Sequence, residues 1–294
     1  MTSVADANRA FFDNMSQTIR QDPIKAQWIA GINDKVTNFL QSHIDWVGLS
    51  HTKTNAPDRN IRHLDYACGD GVLSRALHPY VTDTVGIDIS PLTVSSYNTT
   101  NASLNPRHPI RAVVGSLLDK SDPNPVSLST PEFFNFDIVT GGLAFHHFED
   151  AAYAAERLRK RLRPGGVLVL TDFLTGGDML IDDDGNVVEG SEGDHYSHIR
   201  RHHANGHGHH HGHGHEHAPD TTAAKGDIKK HTMDSIVVTA FSIQEVKDFL
   251  ANAGFVDIDV RVMPEKVFVD FGKKMLRTIM FAKGRNPGDG KDEL

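Results

Sequence analysis

From residue 61 onward, short apolar runs alternate with stretches whose apolar positions recur at helical spacing. The runs fall at 61–66, 84–87, 110–114, 136–140 and 167–171, with helical segments between them. One such segment, 150–162, meets Arg163-Pro164-Gly165-Gly166, where Pro and Gly close a helix. Strands alternating with helices predict a parallel α/β sheet. Upstream, Ile24, Trp28, Ile32, Val36, Phe39 and Leu40 predict one or two helices within 11–46, with Asp22-Pro23 as a start, followed by a polar connection at 51–60. The pattern breaks after Phe173 and resumes at Phe241, where Ser242 can cap a helix running to Leu250. A turn at Ala253-Gly254-Phe255 leads to apolar runs at 256–262 and 275–282. Their connection is too short for a crossover helix and predicts an antiparallel pair at the sheet edge.

The divisions that follow are an N-terminal helical cap (1–60), an α/β domain (61–175 and 233–284), an insertion (176–232) and a polar tail (285–294). The insertion carries Asp182-Asp183-Asp184 and a tract with His195, His198, His202, His203, His207, His209, His210, His211, His213, His215 and His217. Alternating His and Gly binds transition metals in a test tube, but a defined site needs fixed ligand geometry. The expectation is a flexible segment and no metal requirement, with the flanks at 173–180 and 232–238 free to cover a substrate. Phe11, Phe12, Trp28 and Trp46 are lid candidates, with core packing the competing role.

A net charge of −8 gives no electrostatic case for nucleic acid. Cys68 is the one cysteine, so no intramolecular disulfide forms. No apolar run has the length of a signal peptide core or a membrane span. The last four residues, Lys291-Asp292-Glu293-Leu294, match an endoplasmic-reticulum retrieval signal. With no entry signal in view, the match reads as chance, and the expected location is cytoplasmic or nuclear.

The most informative stretch is Leu64-Asp65-Tyr66-Ala67-Cys68-Gly69-Asp70-Gly71, followed by Val85-Gly86-Ile87-Asp88. A strand, a glycine turn, a helix N-terminus and an acid ending the next strand can hold a nucleoside cofactor. Three further pieces complete an ordered set: Phe136-Asp137-Ile138-Val139, Leu143-Ala144-Phe145-His146-His147-Phe148 and Leu162-Arg163-Pro164-Gly165-Gly166-Val167. Together these resemble the class I S-adenosylmethionine-dependent methyltransferases, particularly the small-molecule enzymes typified by ubiquinone biosynthesis. The resemblance covers roughly 61–171 and 241–282. It implies a Rossmann-like, doubly wound seven-stranded sheet, mostly parallel with a C-terminal antiparallel edge pair and helices on both faces. It also implies S-adenosyl-L-methionine as cofactor, with S-adenosyl-L-homocysteine as product and no metal required.

Carried over position by position, the resemblance places Asp65, Ala67, Cys68, Gly69 and Gly71 around the methionine part of the cofactor. Ala67 stands where the family has its first turn glycine. Asp88 would accept the ribose hydroxyls and Ile89 would pack on adenine, with Ser116 and Leu117 nearby in place of the family's usual acid. Thr140 and Gly141 end the fourth strand at the ligand side, and Asp137 begins it. His146 and His147 follow in the loop, as a general base or as substrate lining. Cys68 reads as a small buried apolar residue.

The function so implied is methyl transfer from the sulfonium to an O, N or C nucleophile of a small molecule. Alternatives are a protein methyltransferase working in a regulatory complex, docked through the insertion, and a catalytically inactive methyltransferase fold used for binding. A nicotinamide-dependent dehydrogenase fits Gly69-x-Gly71-x-x-Ser74 and Asp88, but leaves too little chain for a substrate domain.

Overall fold

The computed structural model describes residues 3–49, 60–104, 108–195, 235–270 and 272–288. The histidine tract after His195 and the C-terminal tetrapeptide, with the metal and retrieval expectations that rest on them, lie outside the described residues.

Among the described residues, ten strands form two sheets. The strands are β1 (Arg62–Tyr66), β2 (Asp83–Asp88), β3 (Ile110–Val114), β4 (Phe136–Gly142), β5 (Leu162–Phe173), β6 (Met179–Leu180), β7 (Val256–Val262), β8 (Val267–Asp270), β9 (Lys274–Arg277) and β10 (Ile279–Arg285). The main sheet has the order β3-β2-β1-β4-β5-β10-β7, in which β10 runs antiparallel to both β5 and β7 and the remaining pairs are parallel. The order reverses direction between β1 and β4, and ligands of open α/β sheets bind at such a switch point, beyond the carboxyl ends of the strands. A small antiparallel sheet, β6-β9-β8, stands beside the main one.

Seven α-helices complete the described chain: α1 (Val4–Gln21), α2 (Pro23–Ser42), α3 (Ile44–Val47), α4 (Val72–Leu77), α5 (Pro91–Asn101), α6 (Ala151–Arg159) and α7 (Ile243–Asn252). Local chemistry fixes their starts. Asp22 caps α2 by accepting the N–H groups of Ile24 and Lys25, with Pro23 in the first turn. Ser242 and Glu245 form a reciprocal capping box on α7. One apolar core joins Leu64, Phe136, Val139 and Leu170 of the strands to α6 and α7. A second joins Ile32, Val36 and Leu40 of α2 to α4, to Val169 of β5 and Phe281 of β10, and to the small sheet.

Two expected boundaries move. The helix predicted to 162 ends at Arg159, and Arg163-Pro164-Gly165-Gly166 lies inside β5. Asn286 pins that segment: its N–H donates to Gly166 and its carbonyl accepts the Gly165 N–H, each at 2.8 Å. The four residues become a bulge in the β4–β5 register. The strand predicted at 275–282 is two strands. Met275 belongs to β9, Thr278 breaks the run, and β10 starts at Ile279.

The candidate active site

Polar residues inside β1 need a local reason, because its residues 63–66 are buried. Asp65 is 1% exposed. One carboxylate oxygen accepts the Ser74 N–H at 3.1 Å and the Ser74 hydroxyl at 2.6 Å; the other accepts the Thr140 hydroxyl at 2.8 Å. Tyr97 donates to Ser74 at 2.7 Å, and His63 Nε2 meets the Thr140 hydroxyl at 2.8 Å. Burial pushes the Asp65 carboxyl up to about 7 and the His63 imidazole down to about 3. This network ties the start of α4 to β1 and β4, directly below the turn.

The turn is built from left-handed backbone: Ala67, Gly69 and Gly71 have φ of 54°, 53° and 87°. Gly71 has a second reason to lack a side chain, since a Cβ there would lie 2.7 Å from the Tyr97 ring. Ala67 accepts a conformation that costs an L-residue roughly 1–2 kcal/mol. Asp88, at the end of β2, accepts the Gly69 N–H at 3.0 Å and the Ser90 N–H at 2.9 Å. Burial raises its pKa above the ordinary carboxylate value. A carboxylate offers about four acceptor positions, so capacity remains for a diol facing the cavity.

That cavity measures about 430 Å³, within the range of small-molecule sites. Its lining includes Asp65, Ala67, Cys68, Gly69, Asp88 and Ile89 at one part, and His146, His147, Thr171, Phe173, Thr239 and Arg277 elsewhere. Burial raises the Cys68 thiol well above its ordinary value, which keeps it protonated.

Five of the residues expected to bind the cofactor are not among the cavity lining. Gly71 packs on Tyr97, Thr140 is spent on Asp65 and His63, and Gly141 faces Phe145. Leu117 is fully buried with its N–H on the Tyr66 hydroxyl, and the Ser116 hydroxyl accepts the Leu118 N–H. Asp137 sits at the opposite end of β4, taking the Arg62 N–H and Arg163 Nε. Trp46 is a core residue whose Nε1 donates to Asp259.

The two histidines differ. His146 Nδ1 lies 2.8 Å from Asp172, whose carboxylate also accepts the backbone N–H groups of His146 (3.1 Å) and Phe173 (2.8 Å). Asp172 is fully buried. An acceptor-only partner puts the proton on Nδ1 and leaves Nε2 as a lone pair, and Nε2 makes no hydrogen bond among the described residues. His147 donates its Nδ1–H to the Ser235 carbonyl at 2.8 Å and packs edge-on to Phe12 at 5.1 Å. Burial and the neighbouring His146 hold its pKa well below the usual imidazole value.

Helix α1 lies along the cavity beside both parts. Asn8 Nδ2 donates to the His147 carbonyl at 3.0 Å, Ser90 donates its hydroxyl to Asp13 at 2.5 Å, and Ser16 and Thr93 share a hydrogen bond at 3.0 Å. Phe11, Phe12 and Trp28 line the cavity. Asp172, Arg277, Asn8 and Thr171 were not among the expected site residues. Only Asp172 left a trace in the sequence, as an acid ending an apolar strand.

Residues 64–168 match the methyltransferase domain family. An uncharacterized methyltransferase of Schizosaccharomyces pombe is 38% identical over 116 residues, which span 39% of this chain and 39% of that protein. Magnesium protoporphyrin IX methyltransferase of Synechocystis, solved with bound S-adenosylhomocysteine, superposes with a TM-score of 0.52 at 13% identity, covering 94% of this chain and 97% of that one. A Haloferax volcanii protein solved in complex with the Trm112 methyltransferase activator gives 0.51 at 14% identity, covering 95% and 97%. At these identities the structural likeness concerns the fold. Residues 64–168 thus resemble a methyltransferase domain, and the chain as a whole has the fold of these solved methyltransferases.

Proposed function

We propose that the protein transfers the methyl group of S-adenosylmethionine to a proton-bearing O, N or C nucleophile of a small molecule. The observation that carries this reading is one cavity lined by Gly69 and Asp88 and by His146, which Asp172 holds from behind, with Phe11 and Phe12 of α1 in its wall. The residues present fit the cofactor. Ala67 to Gly69 line the cavity with left-handed backbone at both ends, Asp88 retains acceptor capacity for the ribose, and Ile89 offers an apolar face for adenine. When bound, the cofactor supplies an activated methyl group on a sulfonium.

What the chain supplies is alignment, exclusion of water and a place for the proton. Phe11, Phe12 and Phe173 make the wall dry. His146 Nε2 takes the nucleophile's proton, while Asp172 holds the ring and stabilises the imidazolium that forms. His147, held neutral by its burial, serves as packing and lining rather than as the base.

A cavity of this size under a helical cover suits a small acceptor better than a protein side chain. The test is incubation of the full chain with methyl-labelled S-adenosylmethionine and a heat-treated cell extract. Label should appear in the low-molecular-weight fraction and depend on His146. Label confined to protein would overturn the acceptor class.

A further inference from the structure

Arg277 is buried, yet it lines the cavity. Its Nε donates to both carboxylate oxygens of Asp178 at 3.2 Å, and its Nη2 donates to the Thr239 carbonyl at 2.9 Å. The guanidinium carbon lies 3.9 Å from the centre of the Phe173 ring. The plane is therefore fixed on three sides, and Nη1 makes no hydrogen bond among the described residues. Thr171 lines the same cavity, is fully buried, and has a hydroxyl with no partner either. A buried hydroxyl without a partner is rare, and beside it Arg277 offers the cavity a guanidinium N–H that no described residue accepts. Around them the wall is apolar, with Phe173, Val269 and Ile236.

The geometry points to a carboxylate-binding subsite: the acceptor carries a carboxylate that takes Arg277 Nη1 and the Thr171 hydroxyl. Guanidinium and carboxylate match as planar partners. Asp178 does not line the cavity, so its charge aims the guanidinium without facing the ligand. The cofactor's own carboxylate is the other anion in reach of this site. Phe173 ends β5, and β5 is separated from the turn-bearing strand β1 by β4, two strand spacings or about 10 Å. That offset assigns Arg277 to the acceptor end. It also gives the reaction a polarity: the carboxylate anchors one end of an otherwise apolar molecule, and the nucleophilic atom faces His146.

The inference rests on the proposed methyl transfer. Its test uses the full chain saturated with S-adenosylhomocysteine and titrated with benzoate and with benzamide, which share shape and differ in charge. The wild type should bind benzoate at least tenfold more tightly than benzamide. Arg277→Gln alone leaves Asp178 buried and uncompensated, so the companion variant is the double Arg277→Gln/Asp178→Asn. It should lose the preference for benzoate and keep wild-type affinity for S-adenosylhomocysteine, while Arg277→Lys recovers part of the preference. Equal affinities, or no benzoate binding with the nucleoside bound, would overturn the inference alone. Loss of S-adenosylhomocysteine binding in the double variant would reassign Arg277 to the cofactor and overturn it as well. Failure of the wild type to bind S-adenosylhomocysteine would bring down the inference together with the proposed function.

Discussion

Replacing Asp172 by Asn keeps the shape of the buried carboxyl and removes one acceptor and the charge. Asp172 accepts three N–H groups, and Asn can satisfy at most two of them. With the amide oxygen in the place of Oδ1, His146 Nδ1–H and the Phe173 N–H stay paired, but the amide NH2 faces the His146 N–H. In the opposite orientation the amide donates to His146 Nδ1, which must then be the lone pair, and the proton moves to Nε2. Either way one donor faces another, at a cost of about 1–3 kcal/mol. For a chain of this size that lowers Tm by roughly 2–12 °C. The first orientation keeps the tautomer but loses the charge opposite the forming imidazolium; a hydrogen bond to a charged group contributes about 1.5–3 kcal/mol, or roughly 10–150-fold in rate. The second removes the base, and general-base loss costs about 10²–10⁴-fold. The assay is kcat for the acceptor identified by labelling, together with nitrogen NMR of His146. The wild type should show the Nδ1–H tautomer, and the variant a kcat at least tenfold lower with S-adenosylhomocysteine affinity unchanged. A wild-type Nε2–H tautomer, or a variant with wild-type kcat and pH profile, would refute the role given to the pair.

Other consequences are equally concrete. Gly71→Ala forces a Cβ into the Tyr97 ring at φ 87° and should destabilise by about 2–5 kcal/mol in a denaturant titration; Ala67→Gly should stabilise or be neutral. Asp13→Ala removes the acceptor of the Ser90 hydroxyl on α1 and should speed S-adenosylhomocysteine release severalfold in stopped-flow. The pH dependence of stability separates the buried pair under the turn. Asp65, raised from 3.8 to about 7, makes its contribution fully below 3.8 and loses it as pH climbs towards 7. His63, lowered from 6.5 to about 3, makes its contribution fully above 6.5 and loses it as pH falls towards 3. Between pH 4 and 6.5 these slopes oppose and cancel, since folding only moves one proton from His63 to Asp65. A His63→Gln variant exposes the Asp65 slope, about −1.4 kcal/mol per pH unit relative to wild type, in urea titrations at pH 4.5, 5.5 and 6.5. A parallel pH profile for variant and wild type would contradict it.

The parts of the site that lie along one stretch of chain could be read in the sequence. The turn from Ala67 to Gly71 and the acid at the end of β2 are separated by one helix, so glycine spacing and a strand-end carboxylate announce them. The acceptor wall could not be read this way, because it is assembled from distant segments. His146 meets Asp172 across 26 residues, and Arg277 meets Asp178 across 99. Arg277 looks like the polar position of an alternating strand, and only the small sheet turns it inward. Ser116 and Leu117 lie away from the cavity lining for a local reason. The loop after β3 folds back so that the Leu117 N–H reaches Tyr66, which withdraws both residues from the cavity. Thr140 sits at the expected strand end, yet two buried partners in β1 claim its hydroxyl.

The central claim is that the Gly69–Asp88 cradle holds the nucleoside of S-adenosylmethionine. Calorimetric titration of the full chain with S-adenosylhomocysteine tests it most directly, with chelator present and NADH as the comparison ligand. One site of micromolar affinity, about −8 kcal/mol, is expected, with no binding of NADH. Asp88→Ala should weaken it at least tenfold, since a hydrogen bond to a charged group contributes about 1.5–3 kcal/mol. Absence of binding to the wild type, or an Asp88→Ala variant that binds as well as wild type, would contradict the account.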